Sequence, residues 1–375
     1  MSTASRPSIQ PASPPVERDA RVGRVGRDVR ATPPAGTRRR TRLAPLVAIG
    51  VVALVVTVLV AVAIGPAGLG VDEVARSIGG HLGLDVAPVP RLHDAIVWDL
   101  RLPRVLTAAA VGAGLALSGA VMQSLTRNPL ADPYLLGLSS GASLGAVAVL
   151  IVGVSLLLPV AAFAGALVAL VATFALARTG GALTPSRTVL AGLAVSQLCA
   201  AGTSLVIFWT ATGDSYREIL SWLLGSLAGS TWESVAIAGV AVTIVGGVLL
   251  GQAVRLDAFA FGDTAAGALG IDVDRTRWTL MTLVALLTGA MVAVSGAIGF
   301  VGLVLPHAVV SLTGPAHRRL LPLTALAGAI FLVWADTLAR TVFDPRELPV
   351  GIVTALIGVP VFAVLLRRRQ GAAWS

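Results

Sequence analysis

The chain has 375 residues, of which 55% are hydrophobic and only 13% charged, and a formal net charge of +9; its mean hydropathy is +0.86. A soluble domain carries roughly twice that charged fraction, and apolar runs of about 20 residues, long enough to cross a hydrocarbon core, recur along it. Short segments of alternating polarity, the mark of a transmembrane barrel, do not occur. Composition therefore predicts an all-α polytopic membrane protein.

All 28 basic residues are arginine. Without lysine there is no phosphate-binding loop ending in Gly-Lys-Ser/Thr and no Schiff-base nucleophile. If transport here runs on ATP, another chain must hydrolyse it. The single Cys199 cannot form an internal disulfide, and no Cys or His neighbours make it a metal signal.

Residues 1–42 form a separate regime rich in Pro, Ser, Thr and Arg. Ten arginines stand there against Glu17, Asp19 and Asp28, giving +7 of the net +9. With no apolar face, this tail is expected to be disordered. Its "TRRRTR" run (37–42) abuts an apolar stretch, 43–64, that is too long for a signal-peptide core and is closed by no A-x-A site. It reads as a retained first span with a cytosolic basic tail.

Ten spans follow from the apolar runs, at about 43–64, 104–125, 136–153, 159–177, 188–209, 233–254, 278–297, 299–313, 321–342 and 351–366. Between them, 217–232 is too short to cross and suits an interfacial or re-entrant helix. Segment 255–277 is the longest polar connection after the first loop. With the N-terminus inside, 21 arginines fall on the cytosolic side and seven outside, a strong positive-inside bias that puts both termini in the cytosol.

Residues 112–137 align without gaps onto 289–314, and "SGAVMQSLTRNP" (118–129) meets "SGAIGFVGLVLP" (295–306). One copy enters from outside and the other from inside. An inverted-topology repeat is the usual architecture of alternating-access transporters. Under this shift the polar turn around Arg127–Pro133 has "LVLPHAVVSLTG" (303–314) as its counterpart.

Few residues at depth can carry chemistry. Asp336 is the clear intramembrane acid, with His307 beside an expected helix break at Pro306. Their default roles are a hydrogen bond between helices for Asp336 and a helix-end hydrogen bond for His307, too little for ion coupling or for an intramembrane enzyme. In "GAGLALSGA" (112–120), Gly112, Ala116 and Ala120 form one stripe that lets helices approach closely. The "RLPR" of 101–104 opens the second span, with Pro103 in its first turn; its two arginines share a face and could dock acidic residues of an extracytoplasmic partner. Segment 255–277 mixes phenylalanines with aspartates and glycines, as a cytosolic helix pair forming a protein-contact surface would.

These residues resemble the permease subunits of ABC importers for iron–siderophore, haem and vitamin B12 uptake. The resemblance rests on "RLPRVLTAAAVGAGLALSGAVMQSLTRNPLADPYLLGLSSGASLGA" (101–146), "TVLAGLAVSQL" (188–198), "GDTAAGALGID" (262–272), "VSGAIGFVGLVLPHAVVSLTGPAHRRLLPLTALAGA" (294–329) and "ADTLARTVFDPRELPVGIVTALIGVPVFAVLLRRR" (335–369). It implies one ten-helix permease domain over 43–369, with 370–375 a short cytosolic end. A second permease copy or a similar chain, two ATP-binding subunits and an extracytoplasmic substrate-binding protein would be its partners. No cofactor is implied for this chain, ATP and Mg residing on the ATPase, and neither catalysis nor nucleic-acid binding is expected.

By the same resemblance, Arg101, Arg104 and Arg340 would dock the binding protein. Coupling to the ATPase would fall to 257–274, through Asp257, Phe259, Phe261, Gly262, Leu269, Gly270 and Asp272. The fifth and tenth spans would line the pathway. Asn128, Pro129 and Leu130, with Ser186 and Arg187, would form the cytosolic gate. The implied location is a bacterial cell membrane and the implied cargo a ferric siderophore, with haem and cobalamin as alternatives and an ion-coupled secondary transporter as a different class.

Overall fold

The computed structural model describes residues 43–372 apart from 66, 155–156, 179–183, 211–212 and 344–345; the tail 1–42 and residues 373–375 lie outside the described residues. Helices α1 (Leu43–Ala63), α2 (Val71–His81) and α3 (Arg91–Ala95) come first. A π-helical stretch, Ile96–Arg101, joins α3 to α4 (Leu102–Thr126), and a 3-10 turn, Pro133–Leu136, precedes α5 (Leu138–Val152). Next come α6 (Leu158–Arg178), α7 (Pro185–Thr210), α8 (Gly213–Leu223) and α9 (Trp232–Ala241), the last running through a π turn into α10 (Gly247–Gly251). The remainder is α11 (Ala253–Ala260), α12 (Asp263–Ala268), α13 (Val273–Ser295), α14 (Val301–Thr313), α15 (His317–Thr341) and α16 (Val350–Ala372). No strand occurs among the described residues. Among the described residues, seven helical segments are long and apolar enough to cross a membrane, and Leu138–Val152, Val301–Thr313 and Val350–Val364 are shorter apolar helices.

α4 is the central rod, buried along most of its length from Leu102 to Leu125. Small residues make that burial possible. A Cβ on Gly112 would collide with the carbonyl of Gly328 in α15, and one on Gly119 with that of Gly302 in α14. Backbones this close gain dispersion contacts that lipid tails cannot supply, which favours glycine there. By contrast, α7 shows Leu190, Leu198, Phe208 and Trp209 on its surface.

Three local expectations are corrected. The helix that carries the second span starts well before residue 104, being continuous from Arg91 to Thr126, so Pro103 does not open it but lies inside it. A proline there lacks the N–H that would bond the fourth carbonyl back. The π stretch accommodates it: Leu102 N–H already bonds Val97, five residues back. Second, no helix break occurs at Pro306, which sits inside α14. The carbonyl that Pro306 leaves without a partner, Gly302 O, accepts instead from Gln123 Nε2 on α4 at 3.2 Å.

Third, the counterpart of the polar turn in the shifted copy is helical, and the break in that region lies earlier, between Ser295 and Val301. There Gly296 and Phe300 have positive φ, and the peptide carbonyl of Trp222 packs where Gly296 has no side chain. The expected non-spanning helix, α8, ends on this break, with Ser226 N–H bonded to Ser295 O at 2.9 Å.

Candidate functional site

Polar groups concentrate at the two ends of α4. At its N-terminal end, Arg104 grips Asp336 of α15 with both Nε and Nη2 at 2.9–3.1 Å and holds Glu347 through Nη1 at 2.7 Å. Asp336 is buried, and the bidentate guanidinium supplies the partner that a buried carboxylate needs. Arg340, one turn along α15, has Nε 4.0 Å from Asp336 and donates to the Ala61 carbonyl. Arg101 donates to the Val62 and Ala63 carbonyls at 2.9 and 3.1 Å. The end of α1 has no basic residue of its own, so these two arginines satisfy carbonyls that a helix C-terminus leaves open.

The structure thus brings Arg101, Arg104 and Arg340 together around one cleft of about 460 Å³, with their side chains turned inward. Glu347, which the sequence reading did not single out, is the exposed member, its side chain 46% accessible.

At the opposite end, α4 closes in a Schellman motif. Asn128 N–H bonds Gln123 O and Arg127 N–H bonds Ser124 O, with Arg127 in the left-handed region at φ 49°. Asn128 Oδ1 then accepts from Leu130 N–H at 2.9 Å, across Pro129, the side-chain-mimicked turn that Asn favours. Asp132 caps the following 3-10 turn by accepting from Tyr134 N–H at 2.8 Å, and Tyr134 Oη donates to Ile298 O at 3.0 Å. Burial pushes the Asp132 carboxyl up to about 6. The turn is therefore pinned on both sides. Ser186 and Arg187 stand on a different element, the first turn of α7, which meets this region further along, where Gly192 packs on the Leu135 carbonyl.

Segment 257–274 folds beside this end as α11, α12 and the start of α13. Phe259 is 1% exposed, beneath the Arg277 guanidinium at 5.6 Å. Phe261 and Leu269 project outward, 82% and 71% exposed. Gly262 and Gly270 both have positive φ, 102° and 79°, so each turn needs a residue without Cβ. Asp272 caps α13, accepting from Arg275 N–H at 3.0 Å. Asp257 accepts from His317 through both backbone N–H and Nδ1, at 2.9 and 2.7 Å. Asp263 pairs with Arg277 at 2.8 Å and lies 3.7 Å from Arg127.

His317 and Ser124 were not singled out from sequence, and Asp263 figured there only among the acids of 255–277. Their partners are remote in the chain, and only the Asp-rich composition of 255–277 hinted at anchoring. Among the described residues no group of three or more His, Cys, Asp or Glu could hold a metal ion.

A bundle of membrane-length helices around a glycine-lined central rod, charged at both rod ends, defines a polytopic membrane permease. The chain belongs to the FecCD transport family, which matches residues 53–368. It is 46% identical over 288 residues to the cobalamin import system permease protein BtuC of Halobacterium salinarum, covering 75% of this chain and 76% of that protein. With the Fe(3+)-citrate import system permease protein YfmE of Bacillus subtilis it shares 39% identity, over 88% of this chain and 97% of the relative. A solved inward-facing ABC transporter structure superposes with a TM-score of 0.75 at 33% identity, covering 87% of this chain and 99% of that one. The protein is accordingly a permease of an ABC importer, a transport component.

Proposed function

We propose that this permease forms the translocation pathway of a binding-protein-dependent importer for a ferric siderophore, as a ten-span subunit of a bacterial cell membrane with both termini cytosolic. The observation that carries the reading is segment 257–274. It is anchored by buried Phe259, yet holds Phe261 and Leu269 in the open, on the side where arginine counting puts the cytosol. Exposed apolar side chains on an otherwise charged surface mark a protein contact. Two ATP-binding subunits, carrying ATP and Mg, are the partners this surface suits. The unpartnered face of α7 suits a second permease copy or a similar chain.

At the other end, the Arg101–Arg104–Arg340 cleft is the proposed docking place of an extracytoplasmic binding protein. There an incoming carboxylate would displace exposed Glu347 from Arg104. Ten spans and an inverted repeat remain part of the proposal, supported by seven long and three shorter apolar helices. A ferric chelate fits the ferric-citrate relative, which is matched over nearly its whole length. Cobalamin is the second reading, favoured by the higher identity to the archaeal permease.

Uptake assays in cells lacking this permease decide the cargo. Loss of radiolabelled ferric-siderophore uptake, restored by the full chain, is expected. Loss confined to labelled cobalamin would replace the first reading by the second.

A further inference from the structure

Arg127 ends α4 at a position where glycine usually stands, and it is one of two described non-glycine residues with positive φ. Holding a side chain in the left-handed region costs roughly 1–2 kcal/mol, so an arginine there calls for a reason beyond the turn. Its guanidinium supplies one. Nη2 lies 3.7 Å from Asp263, the first residue of α12, and Nη1 would stand 3.1 Å from a Cβ on Gly262. Glycine at 262 leaves the room.

One turn back along α4, a second link reaches the same segment, running through His317 at the start of α15 to α11. Asp257 of α11 receives both the backbone N–H and Nδ1 of His317, and the other ring nitrogen, Nε2, meets Ser124 Oγ on α4. Ser124 Oγ also lies 2.9 Å from the Ala120 carbonyl, which can only accept. Serine has one proton, so Ser124 donates either to Ala120 or to the ring, and the oxygen's lone pairs serve the other contact. The ring bridges the two helices, contacting Ser124 of α4 through Nε2 and Asp257 of α11 through Nδ1. His317 itself is buried, which shields the link from competing water.

We infer that Asp257–His317–Ser124 and Asp263–Arg127 are the two connections by which the ATPase-facing segment moves the inner end of α4, and with it the Asn128–Leu130 turn. Arg127, His317, Ser124 and Asp263 are positioning residues for the gate. The inference rests on reading 257–274 as the ATPase contact.

The test uses the full chain with its ATPase subunits in lipid nanodiscs, carrying Cys199→Ser and Leu130→Cys. The rate of labelling of Cys at 130 by a charged maleimide is compared without nucleotide and with ATP and vanadate. With the links intact the two rates should differ about fivefold, and in the Arg127→Gln/His317→Gln double variant by less than about 1.5-fold, with ATPase subunits still bound. A residue serving stability alone would lower the unfolding temperature and leave that ratio alone. An unchanged ratio in the double variant overturns the inference while leaving the coupling surface standing. Absence of ATPase subunits from the unsubstituted complex overturns the coupling reading and this inference with it. Should the double variant not assemble, Arg127→Gln/Ser124→Ala, which cuts both links and keeps the imidazole, is held to the same ratio.

Discussion

Arg104 and Asp336 form a buried ion pair between residues 232 positions apart. Removing one member of such a pair strands a charge, at a cost of about 3–5 kcal/mol. Asp336→Asn should therefore lower the unfolding temperature in detergent strongly, while an Arg104→Met/Asp336→Met double variant recovers most of the loss. Equal destabilisation by single and double variants would mean that the pair contributes only as separate side chains.

The Gly302 carbonyl offers a sharper residue-scale test. Gln123→Leu should cost about 1–3 kcal/mol by orphaning that oxygen. Pro306→Ala in the same background should restore stability, since an alanine N–H can then make the ordinary helical bond. No recovery would show that Gln123 acts elsewhere. Asp132 predicts a pH dependence. Its folded carboxyl titrates at about 6, against 3.8 normally, so between those values the folded state binds more protons than the unfolded one. Its contribution is most favourable below that window and is lost as pH rises through it. Asp132→Asn should flatten this slope, as followed by thermal unfolding from pH 4 to 8; an unchanged slope would assign it to other groups. Asp132 was legible only as a turn former, because its burial depends on α14 and the Tyr134–Ile298 contact.

At the scale of elements, α4 owes its place to glycine. A side chain on Gly119 meets the Gly302 backbone rather than a movable side chain, so Gly119→Val must push α4 and α14 apart, costing about 1–3 kcal/mol or more. The expected outcome is loss of monodisperse protein on gel filtration, whereas Gly247→Ala, with nothing within 4 Å, leaves the elution profile intact. If Gly119→Val elutes as the unsubstituted chain does, α4 and α14 are not packed this closely.

The same elements mark how much was readable beforehand. Apolar runs located the long helices, and the small-residue stripe of 112–120 announced a tight contact. What failed were positions decided by distant partners. Pro306 looked like a break because nothing in its neighbourhood names Gln123 as the donor that supports it. The second span seemed to start at its proline because a π turn carries no sequence signal. At the candidate site, the mixed Phe and Asp pattern of 255–277 was legible as a surface helix pair. Asp257 was named there by resemblance, whereas Asp263, which faces Arg127 of α4, was not distinguishable from the other acids.

For the whole molecule, the two ends of α4 divide the labour. The N-terminal end is a closed arginine–carboxylate cluster that shapes a cleft. The C-terminal end is a pinned turn touching a segment whose apolar side chains face outward. In the proposed reading, such an arrangement couples an outside chain to the central rod. The central claim is that this segment seats the ATPase. Co-purification of ATPase subunits with the full chain, compared with a Phe261→Asp/Leu269→Asp variant, measures it most directly. The account predicts ATPase subunits eluting with the unsubstituted permease and at least about tenfold fewer with the variant, a loss of about 1.4 kcal/mol or more. Undiminished co-elution with the variant, at unchanged permease stability, would contradict it.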